Sequence, residues 1–473
     1  MLRLVDILDA LSGIRYEDAT EEITDAVIDS RQATQGSLFI ALPGERVDGH
    51  DYVADAFNRG AYIALVQRDI YSDFPVLDLR TTLHPDASRC PDNVPFCVLV
   101  EDSLIGLQQI ARYWRRQLDL RVIGITGSIG KSTTKEVVAA VLNQRYQTLK
   151  NPGNLNNEIG LPLTLLKAKH SHEIAVLEMG FYQLGEIAFL CDIALPQVGV
   201  ITNVGTVHAE RVGSQEAIAR GKSELVQALP SAPDGVAILN FDDPWVREMS
   251  KETGARVFHY GLDPIADLWA DGVEGLGLEG IRFRLHHRKE VLHLRVPLIG
   301  RHSVHTVLRA AAVGLVEGLT WQEIINGLRS EETQLRLMVV HAENGALILD
   351  DTYNASPEST LAALNLLDDL DGRKVAVLGD MLELGPYEKR GHEMVGARAA
   401  EIVDILITVG SRAHVIAVAA RQAGLPDDAI KEVEDSQEAI IYLTENLKPT
   451  DIVLVKGSRG MKMERIVGAL EAH

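Results

Sequence analysis

The stretch Gly127-Ser-Ile-Gly-Lys131-Ser-Thr133 gathers two glycines, an ammonium and hydroxyl groups within seven residues. That is the chemistry of a polyphosphate cradle. Gly127 and Gly130 let the backbone approach an anion without a Cβ in the way. A helix opening near Lys131 would aim its first amides and its positive dipole end at the same anion. Lys131 can reach the outer phosphates, and the Ser132 hydroxyl can ligate Mg²⁺. Ser128, Ile129 and Thr133 complete a candidate nucleoside triphosphate site. The strict phosphate-loop pattern has four residues between its glycines, whereas Gly124 and Gly130 have five between them and Gly127 and Gly130 two. The competing reading is a glycine-rich turn with an incidental lysine. The Asn-Lys-x-Asp guanine reader of a GTPase does not occur.

Other residues could do chemistry nearby. Glu178 ends an apolar strand, and His208 follows another at 198–202. In open α/β sheets, ligands bind beyond the carboxyl ends of strands, so a carboxylate and an imidazole there can hold Mg²⁺ over a triphosphate. Asn151, Asn154, Asn156 and Asn157 form a dense amide cluster that alone reads as a turn-rich loop. Arg31 offers a fork for phosphate, and Ser30 and His50 can add hydrogen bonds. Lys222 alone reads as a helix-surface lysine. His170, His172 and Glu173 read as a solvated loop, and His286, His287 and His293 as surface histidines on a hairpin.

The elements that must position these residues follow from patterning. At roughly 100–200 residues per domain, 473 residues predict about three domains. Residues 1–100 mix strand-like runs at 37–42, 61–66 and 97–100 with helical ones, and 71–95 reads as loop. Helical spacing covers 103–118. A strand at 122–126 then leads into the glycine turn and a helix from Lys131. Further strands are expected at 175–178, 198–202 and 236–240. Strands alternating with helices argue for a parallel sheet covered on both faces. Period-two alternation at 281–285 and 292–296 predicts an antiparallel hairpin added to that sheet. A third block repeats the doubly wound pattern, with strands at 346–350, 374–379, 404–409 and 451–456. The expected fold class is α/β with three domains: a small N-terminal α/β module at 1–100, a central parallel-sheet phosphate-loop domain at 101–332, and a C-terminal Rossmann-like domain at 333–473.

Composition bounds the partners. Lys and Arg number 46 against 67 Asp and Glu, a formal net charge of −21, which argues against nucleic acid or anionic membrane as the main ligand. Three cysteines form neither a disulfide framework nor a CxxC metal pair, which fits a reducing compartment. Asp6 and Asp9 interrupt the first apolar run, and no membrane span is expected. A cytoplasmic monomer is the expectation.

The glycine loop resembles the ATP loop of the Mur ligases, the cytoplasmic amide ligases of peptidoglycan assembly, and the resemblance extends over nearly the whole chain. Asp29-Ser-Arg31 and the run from Gly36 through His50 look like that family's uridine-diphosphate module, which assigns Ser30, Arg31 and His50 to substrate. The amide cluster, with Asn154, Asn156 and Asn157, would line the muramoyl-peptide and phosphate-transfer site. Glu178 and His208 match the family's Mg²⁺ ligands. Lys222 matches a lysine that several members carbamylate, which converts a cation into an anionic ligand. That chemistry needs a neutral amine. Gly300-Arg-His-Ser-Val-His-Thr306 matches an ATP motif through His302, but Ser303 and Thr306 stand where asparagines that help read adenine are usual. Arg336 matches an arginine that contacts the ATP phosphates. Asp350-Asp-Thr-Tyr-Asn-Ala-Ser-Pro357 resembles a signature in which Asp351 reaches the ATP ribose and Tyr353 and Asn354 face the cleft between domains. Ser356 replaces a usual Asn there. Leu378 to Gly385 and Val455 to Glu464 match the same members.

The resemblance implies an ATP-dependent amide ligase with Mg²⁺. It would join D-alanyl-D-alanine to UDP-N-acetylmuramoyl-tripeptide through an acyl phosphate, with Lys131, Glu178, His208, Lys222 and Arg336 as its catalytic set. The first domain would hold UDP, the second ATP and the third the amine donor. Three alternatives stay open: a sibling ligase adding diaminopimelate or lysine, a phosphate-loop kinase, and a non-catalytic nucleotide-binding homologue.

Overall fold

The computed structural model describes residues 1–44, 47–70, 74–80, 91, 94–206, 209–330 and 338–471. The described strands form three sheets, of five, nine and six strands. The chain packs as two compact units. One comprises Met1–Gly124, Tyr146–Gly180 and Glu186–Val198, and the other Ile125–Arg145, Phe181–Gly185 and Gly199–His473.

In the first unit, β1 (Ala26–Val27), β2 (Leu38–Ile40), β3 (Ile63–Val66), β4 (Val76–Asp78) and β5 (Phe96–Leu99) form an all-parallel sheet in the order β1-β2-β3-β5-β4. Residues in β2, β3 and β5 are buried at every position. That is the mark of a sheet covered on both faces, and continuous apolar runs made these strands readable. β4 falls inside the stretch expected to be loop. Its pattern is exposed, buried, intermediate, an edge strand with too few apolar residues to announce itself. Asp102 caps the helix Ser103–Arg116, accepting from the amides of Leu104 and Ile105. Buried Arg115 is satisfied by carbonyls of Ala194, Leu118, Leu120 and Leu195. β6 (Arg121–Thr126) starts in this unit, which also holds β7 (Thr148–Lys150) paired in parallel with β8 (Ile174–Glu178).

The second unit takes up β9 (Val198–Ile201) from Gly199, then β10 (Val236–Asn240), β11 (Arg256–Gly261) and β12 (Leu268–Gly275). β10, β11 and β12 pair in parallel, and β13 (Ile281–His287) and β14 (Glu290–Val296) continue antiparallel from β12. The expected hairpin is present and longer than its period-two core. Burial along β13 alternates, so one face packs inward and the other meets solvent.

The last sheet runs β15 (Met338–His341), β16 (Leu347–Asp351), β20 (Asp451–Lys456), β17 (Arg373–Gly379), β18 (Ile405–Val409), β19 (Ile430–Val433). It is parallel except for β15, which lies antiparallel on β16. Alternate residues of one strand enter different cores: Val375 and Val377 pack with Ile348 and Val453, Ala376 and Leu378 with Leu349 and Leu454. Each fully buried Val or Leu contributes about 1.5–3 kcal/mol. Two apolar faces on one strand are what helices on both sides of a parallel sheet require.

Candidate active site

The glycine loop lies in the second unit between the end of β6 and the helix Lys131–Leu142. Gly127 has φ +147° and Gly130, the helix N-cap, φ +79°, both conformations that suit glycine. A Cβ on Gly127 would come within 1.8 Å of Thr202 Oγ1. The reason is that the loop is tied to the segment after β9. Thr202 Oγ1 donates to the Ile129 carbonyl at 2.7 Å, and Asn203 Oδ1 accepts from the Ile129 amide at 3.0 Å. The Ser128 amide donates to the Asn203 carbonyl at 2.9 Å, and Ser128 Oγ accepts from the Gly205 amide at 2.8 Å. The backbone N–H groups of Ser128 and Ile129 thus hydrogen-bond to the Asn203 carbonyl and side chain and hold the loop in shape. The first turn of the Lys131–Leu142 helix supplies the anion-facing amides. Lys131 Nζ folds over the loop, donating to the carbonyls of Gly127 at 2.9 Å and Ser128 at 3.2 Å. Ser132 is buried and Thr133 half-buried.

Lys222 lies on the helix Gln215–Gln227 and is not a surface lysine: it is 0% exposed. Its Nζ sits 4.9 Å from the centroid of the Phe181 ring. That ring packs against Gly221, where a Cβ would meet Phe181 Cε2 at 2.0 Å. Burial, and secondarily the positive charge of Lys131, push the Lys222 ammonium well below the ordinary lysine value.

The motif of the third block is built around a buried ion pair. Parallel register sets Asp351 beside Lys456. Lys456 Nζ, on a residue 2% exposed, donates to Asp351 Oδ2 at 2.7 Å and to the Asn354 carbonyl at 2.8 Å. Tyr353 is exposed, with the Arg459 guanidinium 5.9 Å from its ring centroid. Asn354 is exposed as well. Ser356 caps the helix Pro357–Asp368 by accepting from Ser359 N. A serine substitutes for asparagine in that task at little cost. Glu358 Oε1 meets Thr206 Oγ1 at 3.4 Å, so this helix start touches the segment that holds the glycine loop.

Near the start of the helix Ser303–Val316, His302 is exposed and its ring lies over Gly300. Thr306 Oγ1 accepts from Arg309 Nη2 at 2.8 Å, and His305 Nε2 lies 2.7 Å from Asp242 Oδ2. His208 and Arg336 lie outside the described residues.

In the first unit, Glu178 is 2% exposed at the carboxyl end of β8. Its Oε1 accepts from Asn156 Nδ2 at 2.9 Å. Asn151, 0% exposed, accepts from the Glu178 amide at 2.9 Å and donates to the Glu178 and Leu155 carbonyls at 3.1 and 2.8 Å. Asn157 Oδ1 accepts from Gly160 N at 2.9 Å, at the start of the helix Gly160–Leu166. The amide cluster thus builds the support of Glu178, and Asn154 is its exposed member.

His50 turns out to be structural. Its ring is buried, with Nδ1 2.5 Å from Asp48 Oδ1 and Nε2 accepting from the Gln67 amide at 3.0 Å. Nε2 must be unprotonated to accept, so Nδ1 carries the proton and donates to Asp48. Both nitrogens are engaged within the fold. Arg31 is 80% exposed at its side chain and paired with Asp29, whose carboxyl it holds below the usual range. Ser30 is buried. His286 and His287 are not free surface groups: His286 stacks on Trp269 at 3.7 Å, and His287 packs between Phe258 and Trp321. Among the described residues no group of three or more His, Cys, Asp or Glu side chains is arranged to hold a metal, and no helix is long and apolar enough to cross a membrane.

Thr202, Asn203, Lys456 and Arg309 escaped sequence reasoning as site residues. Thr202 and Asn203 carried a usable signal, a hydroxyl and an amide directly after an apolar strand.

Comparison with known proteins agrees with this geometry. Family models match residues 22–84 (Mur ligase family, catalytic domain), 125–314 (Mur ligase middle domain) and 335–459 (Mur ligase, glutamate ligase domain). The UDP-N-acetylmuramoyl-tripeptide–D-alanyl-D-alanine ligase of Bacillus subtilis is 36% identical, covering 97% of this chain and 94% of that protein. Its Escherichia coli counterpart is 32% identical, covering 99% and 98%. The crystal structure of MurF from Acinetobacter baumannii superposes with a TM-score of 0.82 at 32% identity, covering 98% of this chain and 97% of that one. MurF ligase from Thermotoga maritima, in complex with ADP, gives 0.77 at 28% identity, covering 98% and 97%. The three-sheet α/β architecture, the glycine loop and similarity along nearly the whole length converge: this chain belongs to the Mur ligase family.

Proposed function

We propose that this chain is an ATP-dependent ligase that joins D-alanyl-D-alanine to UDP-N-acetylmuramoyl-tripeptide in peptidoglycan precursor synthesis. The observation that carries the ATP chemistry is the glycine loop held on Thr202 and Asn203 beneath Lys131. The names of full-length relatives support the choice of substrates. The matched stretches 22–84, 125–314 and 335–459 support a division near residues 100 and 332; in this reading the first part holds UDP, the second ATP and the third the amine donor. Cytoplasmic action as a monomer belongs to the same reading.

In this mechanism the substrate carboxylate attacks the γ-phosphorus of ATP, releasing ADP and leaving an acyl phosphate. The dipeptide amine then attacks the acyl carbon, and phosphate departs. Two anions must approach in the first step, so fixed positive charge has to offset their repulsion. Lys131 supplies it at the loop, and Arg336 is assigned the same task. Ser128 and Gly130 shape the loop, and Thr133 belongs to its helix start. His302 and Asp351 stay assigned to the nucleotide, and Arg31, Ser30, Asn154, Tyr353 and Asn354 to the substrates.

The donor set fits a magnesium ion. The Ser132 hydroxyl and Glu178 carboxylate are hard oxygen donors. Lys222 fits only after conversion: buried and pushed toward its neutral form, it has the free amine that carbamylation needs, and a carbamate would present oxygen. His208 is assigned as the remaining ligand. Magnesium, when bound, would neutralise charge on the phosphates.

The test is a panel of amines incubated with Mg-ATP and UDP-N-acetylmuramoyl-tripeptide, with products weighed by mass spectrometry. Product with D-alanyl-D-alanine alone is expected. Product with diaminopimelate or lysine instead would reassign the amine, and a phosphorylated substrate stable to every amine would indicate a kinase.

A further inference from the structure

Among the described residues two arginines are buried, in contrasting ways. Arg115 meets four carbonyl oxygens, as a desolvated guanidinium should. Arg309 does not. It is 4% exposed, yet its partners are all neutral: Thr306 Oγ1 at 2.8 Å from Nη2, the Tyr260 hydroxyl at 3.4 Å from Nη1, and the Tyr260 ring, whose centroid is 5.8 Å from Cζ. Among the described residues its buried Nε meets no acceptor, and no carboxylate pairs with the guanidinium. A buried charge without an anion is costly, and a fold keeps one where an anion is supplied from elsewhere.

The surroundings say where that anion would come from. A Cβ built on Gly130 would lie 3.4 Å from Arg309 Nη2, so the guanidinium stands beside the N-cap of the loop helix. Tyr260, which holds the other end of Arg309, donates to the carbonyls of Ile201 at 3.0 Å and Thr202 at 3.3 Å. Thr202 is the residue whose hydroxyl holds the loop at Ile129. The guanidinium is thus fixed to the same scaffold as the glycine loop, and Asp242 is already paired with His305 of the same helix.

We propose that Arg309 is a positioning residue for the nucleotide, a second fixed positive charge behind the glycine loop whose counter-ion is the polyphosphate bound there. The proposal rests on the ATP reading above. It adds to Lys131 a charge that cannot swing away, because both guanidinium ends are anchored.

The experiment is calorimetric titration of the full chain with Mg-ATP at low and high salt, for wild type, Arg309→Gln and Arg309→Lys, with melting temperatures recorded without nucleotide. Arg309→Gln is expected to weaken Mg-ATP about tenfold, equivalent to about 1.4 kcal/mol, and to flatten the salt dependence. Arg309→Lys is expected to retain most of both. In turnover, KM for ATP should rise while KM for the muramoyl substrate stays within about twofold, a split that a general loss of packing would not give. Should Arg309→Gln fail to fold, Thr306→Val keeps the charge and removes its anchor, and a smaller loss of affinity, about threefold, is expected. Unchanged affinity and salt dependence in Arg309→Gln, or in Thr306→Val where it replaces that variant, would overturn the proposal. So would a loss in Arg309→Lys as large as in Arg309→Gln. Wild type that binds no Mg-ATP at all would bring down the ATP reading and this proposal together, whereas nucleotide-binding wild type with an indifferent Arg309 would bring down only the latter.

Discussion

Gly127→Ala adds one methyl group to a loop that has no room for it. At φ +147° an alanine is strained, at about 1–3 kcal/mol. Its Cβ would also stand 1.8 Å from Thr202 Oγ1 and 2.9 Å from Thr202 Cβ. The threonine side chain must then turn away, and its hydrogen bond to the Ile129 carbonyl is lost, at about 0.5–1.5 kcal/mol. Both costs fall on the conformation that holds phosphate, so they appear as a smaller fraction of binding-competent protein. At about 1.4 kcal/mol per tenfold, Mg-ATP affinity should fall by about tenfold to a thousandfold. Calorimetric titration measures this directly, with the melting temperature showing whether the loss is local. Thr202→Val alone should reproduce the smaller part of the loss. A Gly127→Ala protein that binds Mg-ATP within about threefold of wild type would refute the reasoning, because the loop would then tolerate the very group its geometry excludes.

Lys222→Met should change how stability depends on pH. The folded-state ammonium is pushed below 10.5, so below its folded pKa the buried charge penalises folding in full. That penalty is relieved as pH rises toward 10.5, because the unfolded chain then binds more protons than the folded one. Wild-type urea midpoints should therefore climb over that window, and those of Lys222→Met should climb less. Asn151→Ala removes three hydrogen bonds, two of them buried, from the backbone around Glu178. A loss of about 2–4 kcal/mol is expected, with faster hydrogen exchange at the Glu178 amide. Lys456→Met removes the ammonium that pairs with Asp351. Its cost should be about 1–3 kcal/mol, less than the about 3–5 kcal/mol of a fully buried pair because the Asp351 carboxylate is 26% exposed, and KM for ATP should rise.

What could be read from the sequence was local. The glycine loop needs its conformations at Gly127 and Gly130 and its helix directly after them, and all of that lies within seven residues. The parallel strands announced themselves because both faces are buried, so each carries an unbroken run of four apolar residues. Leu268–Gly275 did not, since Asp271, Gly272 and Glu274 break its pattern and only two of its eight positions are buried. The support of the site was illegible for another reason. Asn151 meets Glu178 27 residues on, Asn203 meets Ile129 across 74, and Lys456 meets Asp351 across 105. No periodicity reports a contact of that separation. The asparagine run looked like a ligand surface because amides serve ligands and backbone equally well, and here Asn151, Asn156 and Asn157 serve the chain. The partners of His50 were hidden similarly: one nitrogen meets Asp48 two residues away, the other the Gln67 amide 17 residues on.

The most direct measurement is phosphate release from Mg-ATP in the presence of UDP-N-acetylmuramoyl-tripeptide, with and without D-alanyl-D-alanine, for wild type and Lys131→Ala. Release by wild type that requires the dipeptide and yields a product of the combined mass, with none from a folded Lys131→Ala protein, is the expected result. Release indifferent to the dipeptide, or near-normal turnover by Lys131→Ala, would contradict it.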